Sequence, residues 1–357
     1  MSWNDDSPRD RGYHPVPDWA PHAACVTAWP AYQYAWGEHL EGARQELSAF
    51  LTELTREPGS ERVELLCASE ELEQSARAVL QHLGERVVYR RMAYGDIWLR
   101  DIGPFFLRRN GSLSALCFGF NGWGGKYVYP HDAQVASGLA GALRLSRFSH
   151  DAVIEGGAVE LDGEGTCLTT ESCLLNDNRN PGRSRAAMEA VLAETLSVQK
   201  VIWLPEGLLG DHTDGHIDNI ARFAAPGVVL HMLPTTDDDP NRGVLHRIAD
   251  VLREARDAAG RELQRVVVPS PGHVTGEDGN IMAASYLNFY VGNRTVVVPA
   301  FGQPNDERAR QAVASAFPDR RVVLSRARKL LEGGGTLHCI TRELPETSSK
   351  EQQGASG

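Results

Sequence analysis

No stretch of the chain comes near the roughly 18 consecutive apolar residues that a membrane-spanning helix needs, so a membrane protein is not expected. The first 17 residues are polar and rich in Asp, Arg and Pro, without the apolar centre of a secretory leader. Basic residues are in the minority: 36 Lys and Arg stand against 47 Asp and Glu, a net charge of −11. No dense basic run exists to grip a phosphate backbone, which argues against a nucleic-acid binder. A negative field favours a small cationic ligand instead. Cysteine is sparse, at positions 25, 67, 117, 167, 173 and 339, in spacings that fit neither a zinc ribbon nor a disulfide scaffold. Free thiols in a reducing cytoplasm are the simplest expectation. Also missing are a phosphate-binding P-loop, a dinucleotide-binding glycine fingerprint and a Gly-x-Ser-x-Gly nucleophile elbow.

The sequence does contain a repeated arrangement. Helical periodicity predicts helices near 39–55, 70–83, 133–144, 183–197, 240–258 and 305–317. All but the first lead into an apolar strand, at Val87–Tyr89, near Phe148, and at Val201–Trp203, Val266–Val268 and Val322–Leu324. Further strands are predicted at Phe105–Leu107, Ala115–Phe120, Gly165–Thr170, Gly227–Met232, Tyr286–Val291 and Thr295–Pro299. Each unit reads as ββαβ. Five such units predict an α/β fold closed as a five-bladed, pseudo-symmetric propeller within a single domain. That domain spans 18–345, between a loose segment at 1–17 and a disordered polar tail at 346–357.

Polar clusters recur after those strands: Gly95–Asp101, Glu155–Gly157, Thr213–Asn219, a Gly-rich turn at Gly276–Asn280, and Gly333–Cys339. Rotation-related units would bring them to one end of a common axis, where pockets form. Cys339 follows three glycines, which permit close backbone approach to a ligand. Its local sequence fits an inert buried thiol equally well, and the other five cysteines are read as inert. His216 and Asp218 share a face if they lie on a strand, placing a cation-holding carboxylate beside an imidazole. Alternatively, His212 and His216 form a metal site with Asp211, Asp214 and Asp218, although Gly215 argues against the helix that pair needs. Arg100 and Asp101 are expected to satisfy each other, leaving Asp96 free at the loop mouth. Glu155 is a candidate half-buried carboxylate. A cysteine nucleophile among several carboxylates suits a cationic electrophile such as a guanidinium, whose planar donors Asp96 and Asp218 could take bidentately.

These segments resemble the agmatine deiminase family, within the guanidino-group-modifying, pentein-like enzymes that include bacterial-type peptidylarginine deiminases. The resemblance runs from Asp18-Trp19-Ala20-Pro21-His22 to about Pro345. Besides the clusters above it is carried by Trp123-Gly124-Gly125-Lys126-Tyr127, by Thr169–Asn176 with Asn178-Arg179-Asn180-Pro181, and by Phe301–Asp306. It implies a five-bladed ring of ββαβ units and hydrolysis of agmatine to N-carbamoylputrescine and ammonia. Under it Cys339 attacks the guanidinium carbon, Asp96 and Asp218 grip the nitrogens, His216 passes protons, and Glu155 orients His216. No metal or organic cofactor is implied. Trp29, Trp98 and Trp123 are candidate walls for the substrate's tail. The partner is a small cationic guanidine, and a homodimer is the self-association to test.

Three positions depart from the agmatine-specific pattern: Gly95 and Thr336, where that pattern tends to have Asn, and Arg342 with Glu343-Leu344-Pro345, in place of a glutamine-rich ending. They bear on the substrate's tail rather than on the reaction. Free arginine, peptidyl arginine, amidino transfer to an amine, a His212/His216 metal hydrolase and a catalytically dead binding protein are the competing readings.

Overall fold

The computed structural model of the chain describes residues 7–347. The predicted helices form where apolar spacing lets one face pack. Leu245, Ile248 and Leu252 turn one side of the Arg242–Glu254 helix inward. The Glu70–Leu80 helix starts where the Ser69 side chain accepts the Leu72 N–H, with Glu70, Glu71 and Glu73 in its first turn. Helices at Leu40–Thr55, Asp132–Ala142, Arg185–Leu196 and Asp306–Ala316 complete the set that periodicity predicted.

The protein is mixed α/β, with its described strands in five small sheets, none closed on itself. One pattern repeats: a first strand antiparallel to a second, which runs parallel to a third. Phe105–Arg109, Ser112–Gly119 and Ser146–Val153 follow it, as do Val159–Leu161, Thr166–Thr170 and Lys200–Leu204. So do Ala221–Ala225, Val228–Leu233 and Gln264–Pro269, and Tyr290–Val291, Thr295–Ala300 and Arg321–Arg326. A helix lies between the second and third strand each time, as a parallel crossover demands. The fifth sheet joins distant parts of the chain. Arg342–Pro345 pairs antiparallel with His22–Ala28, which runs parallel to Arg62–Cys67 and, beyond it, Val87–Arg91.

The N-terminal stretch has more structure than its composition suggested. His14–Pro15 pairs with Leu107–Arg108, and Tyr13 is buried against Phe148 with Arg109 over its ring. Residues 1–6 and, of the polar tail, 348–357 lie outside the described residues. No described helix is long and apolar enough to cross a membrane.

Candidate active site

A polar residue stands just ahead of the first strand of every sheet. Asp101 precedes Phe105 by four residues, Glu155 precedes Val159 by four, Asp218 precedes Ala221 by three, and Cys339 precedes Arg342 by three. Asn288, two residues before Tyr290, holds this place in the remaining sheet. The cluster at Gly276–Asn280 does not, because its acidic side chain turns back: Asp278 accepts from Asn280.

Asn288 is buried and meets the nucleophile candidate. Its Nδ2 donates to Cys339 Sγ at 3.1 Å, while its Oδ1 accepts from the His338 and Cys339 N–H groups and from the Thr336 hydroxyl. The Arg100 N–H donates to the Cys339 carbonyl, tying the cysteine's turn to the Asp96–Asp101 loop. Cys339 Sγ lies 3.7 Å from Asp218 Oδ2. Burial pushes the Cys339 thiol well above its ordinary range, and the Asp218 and Asp101 charges push the same way.

Gly335 and Gly157 show how tightly the parts meet. A Cβ on Gly335 would stand 2.9 Å from Cys339 Cβ and from the Trp98 ring. One on Gly157 would stand 2.5 Å from His216 Nδ1 and 3.1 Å from Asp101 and Asp218 oxygens, so His216, Asp101 and Asp218 surround one backbone atom.

His216 and Asp218 are not on a strand. Asp214 and Gly215 adopt left-handed backbone (φ 67° and 103°), and Ile217–Asn219 is a short 3₁₀ turn. His216 is fully buried, its Nδ1 3.8 Å from Asp101 Oδ1 and its Nε2 4.0 Å from Glu155 Oε2. Burial opposes its protonation, yet Asp101, Cys173 and Glu155 together hold the imidazole well above its usual pKa. Glu155 Oε1 accepts from Arg179 Nε at 2.6 Å, which fixes the carboxylate. Asp218 Oδ2 accepts from His338 Nδ1 at 2.7 Å. Burial works against its charge, but the His338 hydrogen bond and charge keep Asp218 below the usual carboxylate range. His338 Nε2 reaches Asp18 at 3.0 Å, so its ring bridges two carboxylates.

Asp96 sits in an aromatic clamp. Trp36 Nε1 donates to Oδ1 at 3.0 Å and Trp98 Nε1 to Oδ2 at 2.8 Å, the two indoles being stacked with centroids 5.7 Å apart. Burial pushes Asp96 up to about 7, against the pull of the Ile97 N–H and both indoles.

Asp101 does not pair with Arg100 as expected. Arg100 turns to Glu343 and Asp18, while Asp101 accepts from the Gly157 N–H and from Trp123 Nε1, both at 2.9 Å. It thereby faces His216, a placement its sequence neighbours did not reveal. A cavity of about 160 Å³ is lined by Asp96, Trp98, Asp101, Trp123, Glu332 and Cys339 together with Tyr127, His212 and Thr213, while His216, Glu155 and Asp218 are not part of its lining. No Lys or Arg lines it among the described residues.

Two further expectations fail. Trp29 is wholly buried in the core and does not line the cavity. Arg342 points away, its Nε donating to the Pro104 carbonyl and its guanidinium lying over Phe105. Gly95 donates its N–H to Asp132 and leaves no room for a side chain against Tyr129. His212 is drawn out of reach of a pairing with His216. It stacks on Tyr127 and meets that hydroxyl at 3.0 Å, while Lys126 pairs with Asp214 beside it.

Four site atoms have no hydrogen-bond partner within the protein: Glu155 Oε2, His216 Nδ1 and Nε2, and Asp218 Oδ1. Buried polar atoms are normally satisfied, so a cluster of exceptions marks where a ligand's donors belong.

Known proteins resemble the chain over nearly its whole length. The model of the Porphyromonas-type peptidyl-arginine deiminase family matches residues 14–345. Agmatine deiminase of Stutzerimonas stutzeri is 40% identical over 95% of this chain and 97% of its own. That of Pseudomonas putida is 37% identical over 97% and 99%. Among solved structures, the agmatine deiminase of Enterococcus faecalis superposes with a TM-score of 0.90 at 29% identity, covering 96% of this chain and 99% of that one. A Campylobacter jejuni agmatine deiminase with substrate bound gives 0.85 at 26% identity, covering 94% and 97%. By sequence and by structure, the chain belongs to the Porphyromonas-type peptidyl-arginine deiminase family.

Proposed function

We propose that the chain hydrolyses the guanidino group of agmatine, giving N-carbamoylputrescine and ammonia through a covalent adduct at Cys339. The single observation that carries this reading is the charge of the cavity: Cys339 opens onto Asp96, Asp101 and Glu332, with no Lys or Arg in the lining among the described residues. A substrate bearing a carboxylate beside its tail, such as free arginine, would meet no countercharge there. A guanidinium with a distal amine meets carboxylates along its length, and the indoles of Trp98 and Trp123 flank its apolar centre.

In this reading the free thiol is held neutral by burial and by its carboxylate neighbours, and the substrate's positive charge relieves that field so that the thiol gives its proton to solvent and the thiolate forms. Asp96 and Asp218 hold the guanidinium nitrogens. The sulfur forms a bond to the central carbon, and the C=N electron pair moves to nitrogen. His216, cationic beside Asp101 and Glu155, gives its proton to the departing nitrogen, and ammonia leaves as the C–N bond breaks. Neutral His216 then takes a proton from water, whose oxygen attacks the thiouronium carbon; the C–S bond breaks to return the thiolate, and the new hydroxyl loses its proton to solvent to leave the neutral carbamoyl product. Asn288 stabilises the sulfur's charge at both ends of the cycle.

The finer architecture belongs to the same reading. Five sheets of one pattern, each preceded by a site residue, are the blades of a pseudo-fivefold ring whose axis passes through the cavity. Six unpaired, buried cysteines suit a reducing cytoplasm.

The test is ammonia release from agmatine, free arginine, a blocked arginyl peptide and simple alkylguanidines. Agmatine is expected to lead, and Cys339→Ser to lose at least about a thousandfold in rate while staying folded. Full turnover in Cys339→Ser would end the covalent mechanism, and preference for arginine would end the assignment of substrate.

A further inference from the structure

Cys173 was read as an inert core thiol, yet it stands inside the site. The Thr169–Asn176 segment that carries it is capped by Thr170, whose side chain accepts the Cys173 N–H and donates to the Gly215 carbonyl, binding this turn to the one that carries His216. As a result Cys173 Sγ, a carboxylate oxygen of Glu155 and a ring nitrogen of His216 all lie within 4.8 Å of one another, each side chain at least nine-tenths buried.

Three such groupings exist among the described residues. In one, Asp18, His338 and Glu343 are already committed to Arg222, Asp218 and Arg100. In another, exposed Glu277 is paired with Lys329 beside His39. Among the described residues of these three groupings, only Glu155, Cys173 and His216 leave buried ligand atoms over: Glu155 Oε2 and both nitrogens of His216 have no hydrogen-bond partner.

The geometry points to a second use of this cluster: an inhibitory site for a thiophilic divalent cation such as zinc, bound by Glu155 Oε2, Cys173 Sγ and a His216 ring nitrogen. Thiolate, imidazole and carboxylate are the ligand types that zinc accepts together, and three protein ligands leave the fourth position to water. Tetrahedral bonds of roughly 2.0–2.3 Å set ligand atoms about 3.3–3.6 Å apart. The 4.0 Å between His216 Nε2 and Glu155 Oε2 must therefore close by about half an ångström, within the reach of side-chain rotation. Arg179 on Glu155 Oε1 leaves Oε2 facing inward, the outer-sphere anchoring that metal carboxylates use. Asp101 and Asp218 add negative charge around the cation. Binding is balanced by release of two protons, one from the Cys173 thiol and one from the His216 imidazolium, so affinity rises with pH. The metal site itself needs no assumption about substrate. Its inhibitory effect rests on the proposed reaction, because a metal on His216 removes the proton carrier.

Cobalt tests the site without turnover. The Cys339→Ser protein, with the nucleophile's sulfur gone, is titrated with Co²⁺ and watched for the thiolate-to-cobalt charge-transfer band and the visible bands of a tetrahedral ion. One equivalent is expected to bind, with the charge-transfer band lost when either Cys173→Ser or Cys173→Ala is added. No band in Cys339→Ser, or a band that persists in both double variants, overturns the site. In the chain with Cys339 present, Zn²⁺ is expected to stop ammonia release, and Cys173→Ala to raise the half-inhibiting concentration at least about tenfold. Equal inhibition of both proteins assigns the metal to Cys339 and overturns the inhibitory role. A protein that shows the cobalt band but consumes no guanidine refutes the proposed reaction and leaves the metal site standing.

Discussion

Asn288 and Cys339 are joined by a hydrogen bond of 3.1 Å from the amide nitrogen to the sulfur, across 51 residues of sequence. The same amide's oxygen accepts the N–H of Cys339 itself, so one side chain fixes both the backbone and the nucleophilic atom. A hydrogen bond to a charged group contributes about 1.5–3 kcal/mol. Asn288→Ala is therefore expected to lower kcat/KM about 10–100-fold. It should also move the pH midpoint of iodoacetamide alkylation of Cys339 upward. Asn288→Asp should be worse, because a carboxylate repels the thiolate. An unchanged alkylation midpoint in Asn288→Ala would show that the amide does nothing for the sulfur.

His338 shapes the pH dependence through Asp218. With its partner in place Asp218 stays ionised below the usual carboxylate range, ready for a cation. His338→Asn removes the charged partner, so the folded-state pKa of Asp218 rises and the acid limb of kcat/KM moves to higher pH. The loss should grow as the solution is acidified and shrink toward neutrality. Rate profiles of the two proteins from pH 4 to 8 check this; parallel profiles would reduce His338 to a packing residue.

Asp96 titrates near neutrality in the free protein, at about 7. A bound cation favours the ionised form, so agmatine binding near pH 7 should release a proton from this carboxyl. Dissociation constants measured in the Cys339→Ser protein should fall as pH rises through about 7, and calorimetry in buffers of different ionisation enthalpy should register the proton. Asp96→Asn should weaken binding and flatten its pH dependence.

Gly157→Ala tests the packing. The new methyl would sit 2.5 Å from His216 Nδ1, closer than any real contact, so the imidazole must shift. Misplacing a catalytic group by about 1 Å costs on the order of a hundredfold in rate. The expected variant is folded, by circular dichroism, with kcat reduced by about that factor. Undiminished turnover would show that His216 tolerates displacement or has another role.

Much of this was legible in the sequence. Helices announce themselves by apolar spacing, and six predicted ones match to within a few residues. The valine-rich third strands were equally plain. The first strands were legible only in part: Phe105–Arg109 and Tyr290–Val291 fall on predicted strands, whereas Val159–Leu161, with three residues, is too short for any period to register. Arg342–Pro345 was hidden for another reason: it carries Arg and Glu into the interior, where Glu343 is neutralised by Arg100 from 243 residues away. Asn288 was missed for a different reason: it lies inside the predicted strand Tyr286–Val291, so the Gly-rich turn at Gly276–Asn280 was taken for the place that Asn288 holds. Asp101 was misread because adjacent opposite charges suggest a pair, whereas a helical turn sends neighbours in different directions.

The pairing of Arg342–Pro345 with His22–Ala28 carries a further consequence. Cys339 is delivered by the segment that locks a sheet begun more than three hundred residues earlier. Contacts of such long sequence range are slow to form. In synthesis from the N-terminus the acidic residues and the imidazole are made before the sulfur, and the set is complete only once this seam closes.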